Sequence, residues 1–92
     1  MKQIQSVSVW YNGQSVQAQI LDAYVINDNL KDSATFWWGI FTEGSDPGSK
    51  GICVGSSNLT MSGQDYIDWN ANPDINDAAY QWIADQLGLT II

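Results

Sequence analysis

The sequence predicts an α+β fold: a four-stranded antiparallel sheet of two hairpins, with a C-terminal helix packed on one face. Three observations carry this. Apolar residues recur with strand period through most of the first two thirds of the chain. Asn12-Gly13 supplies the strongest short hairpin signal, because a type I′ turn needs positive φ at both central residues. The last third then switches to helical period, and strands followed by helices point to α+β with an antiparallel sheet.

The first strand covers residues 2–11. Val7, Val9 and Tyr11 share one face, and Ser6, Ser8 and Trp10 the other. Residues 15–27 return as the second strand. Val16, Ala18 and Ile20 are in phase, whereas Leu21, Ala23 and Val25 take the opposite phase. This change at Ile20-Leu21 predicts a bulge or a bend into another pairing. Asn27 to Ser33 is a loop by composition. The third strand, 34–43, contains Phe36-Trp37-Trp38, so alternation sends bulky aromatics to both of its faces. A flexible connection over 44–51, with Pro47 and three glycines, leads to Ile52-Cys53-Val54. Gly55-Ser56-Ser57 is expected to bulge this strand before Leu59 and Met61.

Ser62-Gly63-Gln64-Asp65 has the form of a capping box and predicts a short helical turn carrying Tyr66 and Trp69. The segment from Asn70 to Pro73 ends it. A second helix is predicted over 75–87, with Asp74 or Asn76 as N-cap and Asp77 favourable in the first turn. Its apolar stripe is Ile75, Ala79, Trp82, Ile83 and Leu87. Gly88 suits the left-handed position after the helix, from which Leu89 folds back. Thr90-Ile91-Ile92 is either a short edge strand or an apolar plug.

Composition narrows the function. The chain has 92 residues, read as one domain over 1–92, with five Trp, four Tyr and two Phe to build a core. Its net charge is −7, and residues 51–92 hold five Asp with no Lys or Arg. Such a surface repels nucleic acids and anionic membranes. The N-terminus lacks the apolar core of a signal peptide, and no stretch reaches the roughly 20 apolar residues of a membrane span. The expected location is therefore the cytosol or a particle assembled there. Asn58-Leu59-Thr60 matches a glycosylation sequon, a chance match in a chain with no signal peptide.

The residue types that usually carry catalysis are missing. There is no His, hence no usual general base and no Ser-His or Cys-His dyad. There is no Arg to clamp an anion, and Glu43 is the only glutamate. Cys53 is single and reads as a small buried hydrophobe. Asp65 and Asp68 stand at helical spacing but read as solvated surface groups. Residues 68–77 alternate oxygen-bearing side chains as a calcium loop does. Pro73 and Ala79, however, occupy positions where an EF-hand needs Gly and Glu, so a turn with helix caps fits better. No catalytic residue, metal ligand or cofactor is assigned.

The aromatics remain. One helix can shelter either Phe36, Trp38 and Ile40 or Trp37 and Phe41, which leaves the other set in need of a cover. Trp10, Trp37, Trp38 and Phe41 are the candidate interface residues for a protein partner, a second copy of the chain or neighbours in a particle. Core packing and a sugar-stacking platform built from Trp10, Tyr11, Trp37 and Trp38 are the competing readings of the same residues.

The C-terminal third, Leu59 to Trp69 and Ala79 to Ile91, resembles small virion-associated proteins of tailed phages. In those a strand is followed by a Gly-acid-Tyr-x-x-Trp turn and a helix ending in Leu-Gly-Leu-Thr. The match covers about half the chain and involves structural residues only. It implies a virion accessory or assembly role and carries over no ligand residue. Three functions follow as expectations. The first is a non-enzymatic structural or interaction protein that associates through its aromatic sheet face. The second is a glycan- or ligand-binding module using the Trp cluster. The third is an acidic inhibitor of a host nucleic-acid enzyme.

Overall fold

The computed structural model describes residues 1–46 and 48–92. Pro47, part of the connection expected between the third and fourth strands, lies outside the described residues. Six elements follow in chain order: β1 (Lys2–Tyr11), β2 (Gln14–Asp28), β3 (Ser33–Glu43), β4 (Lys50–Ser62), α1 (Gln64–Asn70) and α2 (Ile75–Leu87). The strands form one antiparallel sheet in the order β1-β2-β3-β4. The α+β architecture is the one the sequence predicts.

Asn12 and Gly13 take φ of 51° and 77° between β1 and β2, as a type I′ turn requires. The loop between β2 and β3 is organised by Asn29, whose Oδ1 accepts from the backbone N–H of Lys31, Asp32 and Ser33. Leu30 in that loop has φ 59°, a costly conformation for a bulky side chain.

The phase change at Ile20-Leu21 marks the expected change of pairing, since β1 pairs with β2 only up to Leu21 and β3 only from Ile20 on. Pairing jumps from Gln3↔Ile20 to Val7↔Ala18, which puts the irregularity on β1 rather than at Ile20-Leu21. Within β2 the two phases mark two faces, and both are covered: Ile20 and Leu21 are each buried. The bulges of β4 are also displaced. They fall opposite Ile40 to Glu43, between Gly55 and Lys50, rather than at Gly55-Ser56-Ser57.

Both helices pack on one face. Ile4, Leu21, Ala34, Phe36 and Met61 of the sheet meet Tyr66, Trp69, Ala79, Tyr80, Ile83 and Ala84. Phe36 stands edge-on to Trp69, with ring centroids 5.4 Å apart. Burying such aromatic and branched side chains contributes about 1.5–3 kcal/mol each. The helices therefore shelter Phe36, Trp38 and Ile40, and the face bearing Trp37 and Phe41 points away from them.

The capping box is not formed. Ser62 pairs with Ser33 at the end of β4, so its backbone is committed to the sheet. The chain turns instead at Gly63, φ 63°, with no side-chain cap. Asp65 accepts a hydrogen bond from Trp82 Nε1 of α2 at 3.1 Å. The second helix has the predicted bounds. Asp74 accepts from the Asp77 N–H at 3.0 Å, and Gly88 is left-handed at φ 72°. Asn72 Oδ1 accepts from the Asp74 N–H, so the oxygen-rich segment before α2 works as a turn with caps.

Thr90 to Ile92 form no full strand: they lie along the β1 edge through an isolated bridge, with Ile91 packed against the core. Ile91 bridges Ile4, Gln5 N–H donates to Thr90 O, and Ile92 N–H donates to Gln3 O. The Cys53 side chain is exposed rather than buried, because the bulged part of β4 lies at the rim of the sheet. No helix among the described residues is long and apolar enough to cross a membrane.

Candidate interaction surface

The face turned away from the helices carries a short ladder of aromatic rings. Register places Tyr24 of β2 directly opposite Trp37 of β3. Their rings stack with centroids 5.0 Å apart and planes 26° apart. Trp37 then meets Phe41 edge-on at 6.4 Å. Gly39 makes this possible, because a Cβ there would lie 2.6 Å from Trp37 Cη2. The Lys50 ammonium sits 5.0 Å above the Phe41 ring and 2.8 Å from Asp22 Oδ2. A cation over an aromatic face contributes about 0.5–1 kcal/mol at an exposed site. Trp37 and Phe41 thus supply much of their own cover and leave Tyr24 59% exposed.

The four aromatics expected to act together do not converge. Trp37 and Phe41 share the ladder. Trp38, half-buried, lies on the helix face beside Phe36. Trp10 is 75% exposed near the β1–β2 turn, where it pairs with Ser15 on the opposite phase from Val9 and Tyr11. A single sugar platform from Trp10, Tyr11, Trp37 and Trp38 is therefore not assembled. Stacking with Tyr24 also occupies one face of the Trp37 ring.

Sequence reasoning carried β2 through residue 27 but missed that its half beyond Leu21 is an open edge. Pairing with β1 stops at Lys2↔Leu21, so Asp22 to Asp28 have a strand neighbour only on the β3 side. Tyr24, Val25 and Ile26 are consecutive there and 59%, 49% and 52% exposed. Three exposed apolar residues in a row on an unpaired edge are a hazard that functional surfaces retain. Their signal in the sequence was the same one noted for Phe36-Trp37-Trp38: consecutive bulky residues in a strand cannot all face one core. Leu30, 85% exposed in its strained turn, extends the same hairpin.

The start of this edge is finished by Tyr80 of α2. Its hydroxyl donates to Asp22 Oδ1 at 2.9 Å and lies 3.2 Å from Ala23 O and 3.4 Å from Ala23 N. Burial opposes the Asp22 charge, but hydrogen bonds from Lys50 and Tyr80 outweigh it and hold the carboxyl below the usual carboxylate range. Burial, and next the Asp22 carboxylate, push the Tyr80 phenol up. At the far end, Tyr66 donates to Asp28 Oδ1 at 2.7 Å, and that bond raises the Tyr66 phenol.

Two concavities flank the helices. A cavity of about 160 Å³ lies between the β2 edge and α2, lined among others by Ala23, Val25, Phe36, Trp69, Ile75 and Ala79. A wider groove of about 440 Å³ between α1 and α2 is lined by Asp65, Asp68, Asp77 and Asp85 with Trp69 and Trp82. No three metal-ligating side chains among the described residues stand close enough to share an ion. Comparison with protein-family models, curated proteins and solved structures found no match.

Proposed function

We propose that this chain is a non-enzymatic interaction protein that docks onto a protein neighbour through the far half of β2 and the aromatic ladder beside it. One observation carries the proposal: Tyr24, Val25 and Ile26 are exposed together on a strand edge that no other segment among the described residues covers. Apolar residues clustered in this way mark protein contacts more often than solvent-facing surface. Trp37 and Phe41 adjoin the patch through Tyr24. The lack of His and Arg supports a binding role over catalysis. The resemblance of the C-terminal third to virion-associated proteins of tailed phages supports a particle neighbour as the partner, with the host cytoplasm or the virion as the location. In a particle, many copies make a weak single contact sufficient.

Native mass spectrometry after tagged purification from the source cells tests this. The wild-type chain is expected to carry a stoichiometric protein neighbour, or a second copy. An Ile26→Thr variant keeps strand propensity, loses about 0.5 kcal/mol of stability or less, and loses that neighbour. A wild-type chain that is strictly monomeric and partnerless contradicts the proposal.

A further inference from the structure

The sheet has several stretches of open edge, and they are not equivalent. Gln14 to Gln19 of β2 are open on the β3 side, but neither concavity adjoins them. On β1, Thr90 to Ile92 occupy the edge beside Gln3 to Gln5, and the open remainder, Ser6 to Tyr11, adjoins neither concavity. On β4, two register breaks and the exposed polar run Ser56-Ser57-Asn58 interrupt the edge, as protected edges do. On β2, the edge from Asp22 to Val25 is regular up to a break between Val25 and Asn27. Ala23 turns its N–H and C=O outward, since both meet the Tyr80 hydroxyl. Alternation then turns the N–H and C=O of Val25 outward as well. Val25 lies on the helix face of the sheet, because its register partner Phe36 is in the helix-side core. The cavity of about 160 Å³ opens beside it, against Ile75 and Ala79. A void of about 150 Å³ with apolar walls is enough to hold a benzene-sized group.

Charge selects the occupant. Asp22, at one end of the edge, is matched by Lys50 and the N-terminal amine. Asp28, at the other end, has no cationic partner among the described residues. Both hydrogen bonds it accepts, from Tyr66 and from the Leu30 N–H, go to Oδ1, which leaves Oδ2 open. A second copy fits poorly. Two-fold antiparallel pairing about Val25 brings Asp28 within one rung of the other copy's Asp22 and supplies no cation for it. Each copy also brings a net charge of −7.

We infer that the β2 edge captures an extended segment of a different protein by strand addition. The segment pairs its backbone with Val25, seats one aliphatic side chain in the cavity against Ile75 and Ala79, and places a Lys or Arg on Asp28. Main-chain hydrogen bonds then provide affinity, and the cavity and carboxylate provide specificity. This rests on the reading of β2 as a docking surface and adds the chemistry of its partner.

Panning a displayed library of random short peptides with the full chain tests the inference. Enriched peptides are expected to alternate aliphatic with polar residues and to carry a Lys or Arg. Val25→Pro removes the outward N–H and weakens them by about tenfold or more. Ala79→Leu fills the cavity and does the same, which decides the matter should the proline variant fail to fold. On binding, the Val25 amide becomes protected from hydrogen exchange. No enrichment, or enriched peptides indifferent to both substitutions, overturns strand addition. If the natural neighbour is still lost in the Ile26→Thr variant in that case, the docking surface stands without it. If no neighbour is found either, both fall.

Discussion

Tyr80 joins three parts of the molecule through one hydroxyl. It accepts from the Ala23 N–H, donates to Asp22, and so ties α2 to the point where β1 leaves β2. The two titrating partners act at opposite ends of the pH range. The Asp22 carboxyl is lowered in the fold, so its contribution is complete above the unfolded value of about 3.9 and is lost as pH falls through the lower folded value. The Tyr80 phenol is raised, so its contribution is complete below about 10 and is lost as pH rises through the higher folded value. Tyr80→Phe is expected to cost about 1–2 kcal/mol near neutral pH, because the Asp22 carboxylate loses a hydrogen bond. It also reduces the stability lost on acidification, since Asp22 keeps Lys50 but loses a donor. The alkaline loss shrinks too, with Tyr66 retaining its own share. Urea unfolding across the pH range measures all three effects.

At the scale of elements, β2 is two strands in one. Its first half, Gln14 to Gln19, pairs only with β1; Ile20 and Leu21 are paired on both sides; its second half, from Asp22, pairs only with β3. The sequence shows the phase change between the halves but not which neighbour stops there, because strand period reports faces alone. The hairpin turn and α2 were legible for the opposite reason. Asn12-Gly13, Asp74 and Gly88 each act through local backbone geometry, which the residue type determines. Ser62 misled because its capping chemistry competed with a long-range pairing to Ser33, and the pairing won. The aromatic ladder was legible only in part. That Trp37 and Trp38 oppose each other follows from period two, whereas the stacking of Tyr24 on Trp37 depends on a register set elsewhere. Gly39 is the point where this ladder is most exposed to change. A Gly39→Ala Cβ lands on Trp37 Cη2 and Cζ2, so the indole must leave its seat and its stack on Tyr24. Loss of that stack costs about 0.5–1.5 kcal/mol, and the near-ultraviolet circular dichroism of the tryptophans is expected to fall while the far-ultraviolet spectrum persists.

At the scale of the whole molecule, three lysines against ten acids give a protein with one sign of charge nearly everywhere. Two lysines are spent inside the fold, Lys2 on Asp77 and Lys50 on Asp22. The acidic groove between α1 and α2 and the open Asp28 therefore stand on a surface that attracts cations and repels its own copies. One aromatic-rich face is buried under the helices, and the other is largely closed by its own rings and Lys50. What is left uncovered is narrower than an aromatic face: the β2 edge from Tyr24 to Ile26, leading to Leu30 at the tip of its hairpin. Site-specific photo-crosslinking in the source cells tests this most directly. A photoreactive residue at Ile26 is expected to yield a discrete adduct with one protein neighbour, and the same residue at exposed Gln14, at the opposite end of β2 where only β1 pairs, is expected to yield none. Equal labelling from both positions, or no adduct from Ile26, contradicts a docking role for this edge.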